Sequence, residues 1–178
     1  MFLIQQANLR SEQLKSEQMN ALHNEIKAAT EAPNKELTNI NVASYASPDG
    51  GVKLNTTLAE NREKNTVNYM KKSLKKGKID ADMTAEFTAQ DWEGFKELVS
   101  KSNIQDKELI LNVLSMYSDP EQREREIKNM SSVFKVLAEE ILPQLCYSRI
   151  TASVNVIGKS DEEISKLAKE DAKALSVD

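Results

Sequence analysis

At 178 residues the chain is sized for one domain with room for a small helical appendage. Its net charge of −4 is spread over interspersed Lys and Glu, which argues against a nucleic-acid partner. With 39% apolar and 29% charged residues, it fits a soluble domain with long solvated helices. The one cysteine, Cys146, excludes an intramolecular disulfide and leaves the redox compartment open. No stretch is long and apolar enough to cross a bilayer. Met1-Phe-Leu-Ile is too short for a secretory signal and lacks its basic flank, so export would need a signal outside this chain.

In chain order, the apolar start at Met1–Ala7 predicts a first strand. Leu9 to about Thr30 is rich in helix formers, with Leu14, Leu22, Ile26 and Ala29 near the helical period, and Pro33 ends that helix. Leu37–Tyr45 predicts a second strand. It runs into Ala46-Ser47-Pro48-Asp49-Gly50-Gly51, where Pro48 fixes one backbone angle and the glycines permit positive φ, so the chain turns. Asn55, Thr56 and Thr57 are candidate caps for a helix over about Thr57–Lys75 that buries Val67, Met70 and Leu74 and stops at Gly77.

Met83, Ala85 and Phe87 alternate with polar residues, the pattern of a half-buried third strand. Three helices follow. The first runs from Asp91-Trp92-Glu93 to about Ser100. The second carries Leu109, Ile110, Val113 and Leu114. The third opens at Asp119-Pro120 and carries Ile127, Met130, Phe134, Leu137 and Ile141 before Pro143 closes it. Ser148–Ile157 alternates as a fourth strand. Ser160-Asp-Glu-Glu163 is a capping box for a last helix over 158–178. The order predicts an α/β chain of the α+β kind. It has a mixed four-stranded sheet covered by helices in residues 1–157, with a helical insertion over about 91–143.

The stretch from Asn41 to Leu74 resembles the signature of OmpA-like domains, the periplasmic cell-wall-binding modules of Gram-negative outer-membrane proteins. That signature is a strand, a small-residue turn with a Gly, an Asn, then Leu-Ser-x-x-Arg-Ala entering a helix. Gly50, Asn55, Leu58 and Arg62 match it, whereas Ala59 and Glu63 stand where its serine and final alanine would be. The Ser-Pro-Asp-Gly turn looks like a variant branch. The resemblance implies the order β-α-β-α-β-(helical insertion)-β and a ligand site made of Arg62, Ser47, Asp49, Asn55 and Leu58. In the family the matching arginine grips a carboxylate of diaminopimelate in a peptidoglycan stem peptide, and the ligand-binding aspartate falls on Ser47.

Read from the residues alone, Arg62 points away from the Val67–Met70–Leu74 stripe at about 100° per residue and is solvated. There it either holds a carboxylate two-pronged or pairs with Glu60, Glu63 or Asp49. Asp49 either compensates for the serine at position 47 or is an ordinary turn aspartate. Asn55 caps the helix, holds the loop or touches ligand. By the resemblance, Arg149 is loosely similar to the arginine pair opening the family's closing strand; from the residues it is a sheet-edge charge.

Signals for catalysis are absent. His23 has no Cys or His partner, Cys146 reads as a small buried apolar residue, and Asp80, Asp82 and Glu86 miss the Ca²⁺-loop spacing. Trp92 reads as a packing anchor for the inserted helices. No metal, cofactor or catalytic residue is expected. The expectation is a non-enzymatic module at the periplasmic face of the outer membrane. It would tether an outer-membrane protein or lipoprotein, anchored through regions outside this chain, to peptidoglycan. The alternative is a protein-interaction scaffold of the envelope that has lost the peptidoglycan site, marked by an exposed apolar patch around Trp92 or the Phe134 helix.

Overall fold

The computed structural model describes residues 2–158 and 164–166. In chain order the elements are α1 (Ser11–Leu14), α2 (Glu17–Glu31), β1 (Lys35–Tyr45), α3 (Val52–Gly77) and β2 (Asp82–Thr88). Helices α4 (Trp92–Lys101), α5 (Lys107–Met116), α6 (Pro120–Asn129) and α7 (Ser131–Glu140) follow. A 3₁₀ turn (Leu142–Leu145) then leads to β3 (Ser148–Val156). The class is the expected α+β. The helix expected over 158–178 lies outside the described residues, apart from 164–166, which are helical.

Strand β1 sits in the middle of the sheet, in the order β2-β1-β3. It runs parallel to β2, with Ile40 beside Met83 and Val42 beside Ala85, so α3 must serve as the crossover between them. It runs antiparallel to β3, with Ile40 beside Ala152 and Val42 beside Ile150. One sheet face packs under α2 and α3, where Ile26, Ile40, Met70 and Leu74 form the buried centre of a core joined by Leu22, Met83 and Ile150. The alternate face carries Asn39, Asn41 and Thr84, and Nδ2 of each asparagine donates to Thr84 Oγ1 across β1 and β2. Trp92, Phe95, Val99, Ile110, Leu114, Ile127, Leu137 and Leu145 form a second core inside the helices α4–α7.

Several expectations need correction. The sheet has three strands among the described residues, because 2–10 do not pair as a strand. Gln5 adopts φ 57, which breaks an extended run, and the carbonyls of this segment are taken by side chains of α3. Phe2 is nonetheless buried, and its N–H donates to Cys146 O at 2.6 Å. The helix expected from Leu9 to Thr30 is cut at Ser16, whose Oγ accepts from Met19 N and so starts α2 afresh.

The helix expected from Asp119 to Pro143 is two helices with a break at Met130 (φ −83, ψ 68), just before the Ser131-Ser132 pair. Ile127 and Leu137 still enter one core across the break. Strand β2 is covered only at Met83 rather than half-buried along its length, because it is an edge strand. Helix α3 runs through Gly77 and ends one residue later, at Lys78, in the left-handed conformation (φ 57).

Candidate functional site

The turn after β1 is held together by its own polar groups. Helix α3 begins at Val52 with Gly51 as its N-cap, several residues ahead of the expected caps. Thr56 and Thr57 therefore lie inside the helix and donate to the carbonyls four residues back, Val52 O at 2.8 Å and Lys53 O at 3.1 Å. Asn55 is buried and does not cap. Its Nδ2 donates to Ser47 O and to Gly50 O, each at 3.0 Å, so of its three possible roles it holds the loop. Gly50 uses the positive φ its sequence permits, whereas Gly51 (φ −58) does not.

Ser47 is buried and its Oγ donates to Asp49 Oδ1. Asp49 lines a small cavity with Pro48, Trp92, Glu124 and Phe134, facing the helical lobe. Burial there raises its pKa above the ordinary 3.8, and the bond from Ser47 offsets only part of that effect. Leu58 is half-buried on α3.

Arg62 is not solvated; it is fully buried. Its Nε donates to Gln6 O at 2.9 Å, one terminal nitrogen to Tyr45 O at 2.7 Å and the other to Leu3 O at 3.1 Å. The Phe2 ring lies 5.1 Å from the guanidinium carbon. The expected pairing with Glu60, Glu63 or Asp49 does not occur: Glu60 takes Lys64, Asp49 takes Ser47, and Arg62 has no ion pair within 4 Å among the described residues.

The physical cause is the path of residues 2–7, which run over the first half of α3 and extend its buried stripe to Asn55, Ala59, Arg62, Thr66, Met70 and Leu74. A buried cation without a carboxylate must find hydrogen-bond acceptors, and here the acceptors are main-chain carbonyls. Asn65 secures the same segment by donating to Ala7 O at 2.9 Å. The resemblance-based site is thus brought together in space, but its polar groups are satisfied within the chain.

Residues that carry the open chemistry lie on the other face of the sheet. Tyr45 ends β1 and Tyr147 precedes β3; their backbones are joined by Tyr45 N donating to Tyr147 O at 2.9 Å, and their rings stack at 4.7 Å and 24°. Exposed Arg149, paired with Ala43 in the ladder, lies over both rings at 6.0 and 5.8 Å. The sequence flags Arg149 but not the tyrosines. The only available signal was that both are aromatic and end or precede a strand.

Elsewhere, His23 Nε2 lies 3.0 Å from Ser73 Oγ, and Cys146 is buried with its Sγ directed to Leu142 O. Among the described residues no three His, Cys, Asp or Glu side chains are grouped to hold a metal. Trp92 is buried as the packing anchor expected, and Phe134 packs against the same core. Among the described residues the exposed apolar patch considered around them is therefore not found there. Comparisons with protein-family models, curated proteins and solved structures each return no match.

Proposed function

We propose that this chain is a non-catalytic binding module of a Gram-negative cell envelope, holding an outer-membrane protein or lipoprotein to peptidoglycan. The observation that supports the reading is the unit β1–turn–α3. In it Asn55 ties the Ser47–Gly51 turn to the helix, and Arg62 reaches the end of the preceding strand at Tyr45 O. This is the strand–turn–helix order that the resemblance to OmpA-like domains implies.

A second reading, an envelope interaction scaffold without a wall ligand, is favoured by one feature. All three nitrogens of the Arg62 guanidinium, through one bond each, and the hydroxyl of Ser47 are already engaged inside the chain. Co-sedimentation with purified peptidoglycan separates the two readings. The tether reading expects the protein in the pellet and its release by soluble stem peptide. Protein that stays in the supernatant overturns that reading in favour of the scaffold.

A further inference from the structure

A groove opens where the sheet meets the helical lobe, on the face opposite α3. It has room for about 580 Å³ and is lined by Tyr45, Asp91, Gly94, Glu97, Tyr147 and Arg149, among others. Three things make it a built site rather than a gap. The first is the fixed aromatic wall, since Tyr45 and Tyr147 are tied both by their backbones and by their stacked rings. The second is Arg149, a cation resting on that wall with no ion pair within 4 Å among the described residues.

The third is Asp91. Only 6% of it is exposed, yet just one of its carboxylate oxygens is used: Oδ1 accepts from Gly94 N at 2.9 Å, capping α4. Oδ2 has no donor among the described residues. A Cβ at position 94 would lie 2.4 Å from that oxygen, so the glycine keeps it uncovered. Burial pushes the Asp91 carboxyl upward, while Gly94 N and Arg149 pull it back, so the two charges feel each other without pairing.

A buried carboxylate with a spare oxygen, near a guanidinium that touches Tyr147 but has no ion pair among the described residues, is complementary to a group that carries both signs. We propose that this groove is the ligand-contacting site of the module and takes a zwitterionic amino-acid end. Arg149 grips its carboxylate, Asp91 accepts from its ammonium, and Tyr45 and Tyr147 pack its carbon atoms. The assignment rests on the wall-binding reading, since a stem peptide presents such a group. It moves the contact away from Arg62. Arg62 becomes a positioning residue, holding Tyr45 O from behind the sheet.

The test uses the full chain and two soluble stem tripeptides that differ only in the third residue. One has diaminopimelate, whose side chain ends in a carboxylate and an ammonium. The other has lysine, which lacks that carboxylate. Isothermal titration of the wild type should show a preference for the diaminopimelate peptide of about tenfold or more. Arg149→Gln should abolish that preference. Asp91→Asn, which still accepts from Gly94 N and so keeps the cap, should weaken both peptides by a similar factor. Circular dichroism of each variant checks that the fold is retained.

If the wild type pellets with peptidoglycan but Arg149→Gln keeps both affinity and preference, the groove is not the site and the wall-binding reading survives. If the wild type neither pellets nor binds either peptide, both are overturned.

Discussion

Two arginines serve the C-terminal end of β1 from opposite faces of the sheet, and they are held in opposite ways. Arg62, on α3, is sealed under residues 2–7 and gives its donors to three main-chain carbonyls. Arg149, on β3, lies in the open over Tyr45 and Tyr147. A guanidinium that has exchanged water for carbonyls cannot also take a carboxylate without giving those bonds up. One that rests on aromatic rings, touching only the Tyr147 side chain, keeps further donors for a ligand. Burial therefore assigns the first a structural task and leaves the second available for recognition, although sequence pattern favours the first for binding.

The largest expected effect follows from that difference. Arg62→Met keeps much of the apolar stem but removes the guanidinium bonds to the carbonyls of Gln6 and Tyr45 and leaves Leu3 O with Gln6 N alone. It should cost about 3 kcal/mol or more in urea unfolding, whereas Arg149→Gln should change stability by less than about 0.5 kcal/mol. Equal costs for the two would erase the distinction. Next is Asn55→Ala, which removes a buried bond to Ser47 O and a part-buried one to Gly50 O, and should destabilise by about 2 kcal/mol in the same assay. A cost near zero would mean that the turn after β1 does not depend on this side chain.

The smallest effect concerns Asp49. Unfolded, it titrates near 3.8, and burial raises it in the folded chain, so between the two values the folded form binds more protons. Its contribution to stability therefore falls as pH rises through that window and is fully lost above the folded value. Asp49→Asn lacks this slope. Its stability relative to wild type should rise from about pH 4 upward and then level off, read from urea midpoints over a pH series. A constant or falling difference would place the Asp49 carboxylate in a solvated turn instead of against the helical lobe.

Much of the architecture is legible in the residues, for reasons that are local. The alternation in Ser148–Val156, the Ser-Pro-Asp-Gly-Gly turn and the Asp119-Pro120 start each carry their own backbone instruction, and each appears where expected. The errors arise where a distant segment decides.

A helical wheel drawn through Val67, Met70 and Leu74 turns Arg62 outward. Residues 2–7 cover the first half of α3, so the buried face continues at steps of three and four back to Asn55. The same long-range contact explains why the apolar start is not a strand: Phe2 is used to cover Arg62 and to meet Cys146, not to pair with β1. The groove was invisible for a similar reason. Asp91 is an unremarkable helix cap in sequence, and nothing local announces that its second oxygen, Arg149 and two tyrosines converge.

The most direct measurement is labelling of the folded chain with phenylglyoxal, with and without diaminopimelate stem peptide, followed by peptide mass spectrometry. The account predicts that Arg149 is modified readily and is protected by the peptide, while Arg62 reacts only after denaturation. Modification of Arg62 in the folded chain at the rate of Arg149, or protection of Arg62 alone by the peptide, would contradict it.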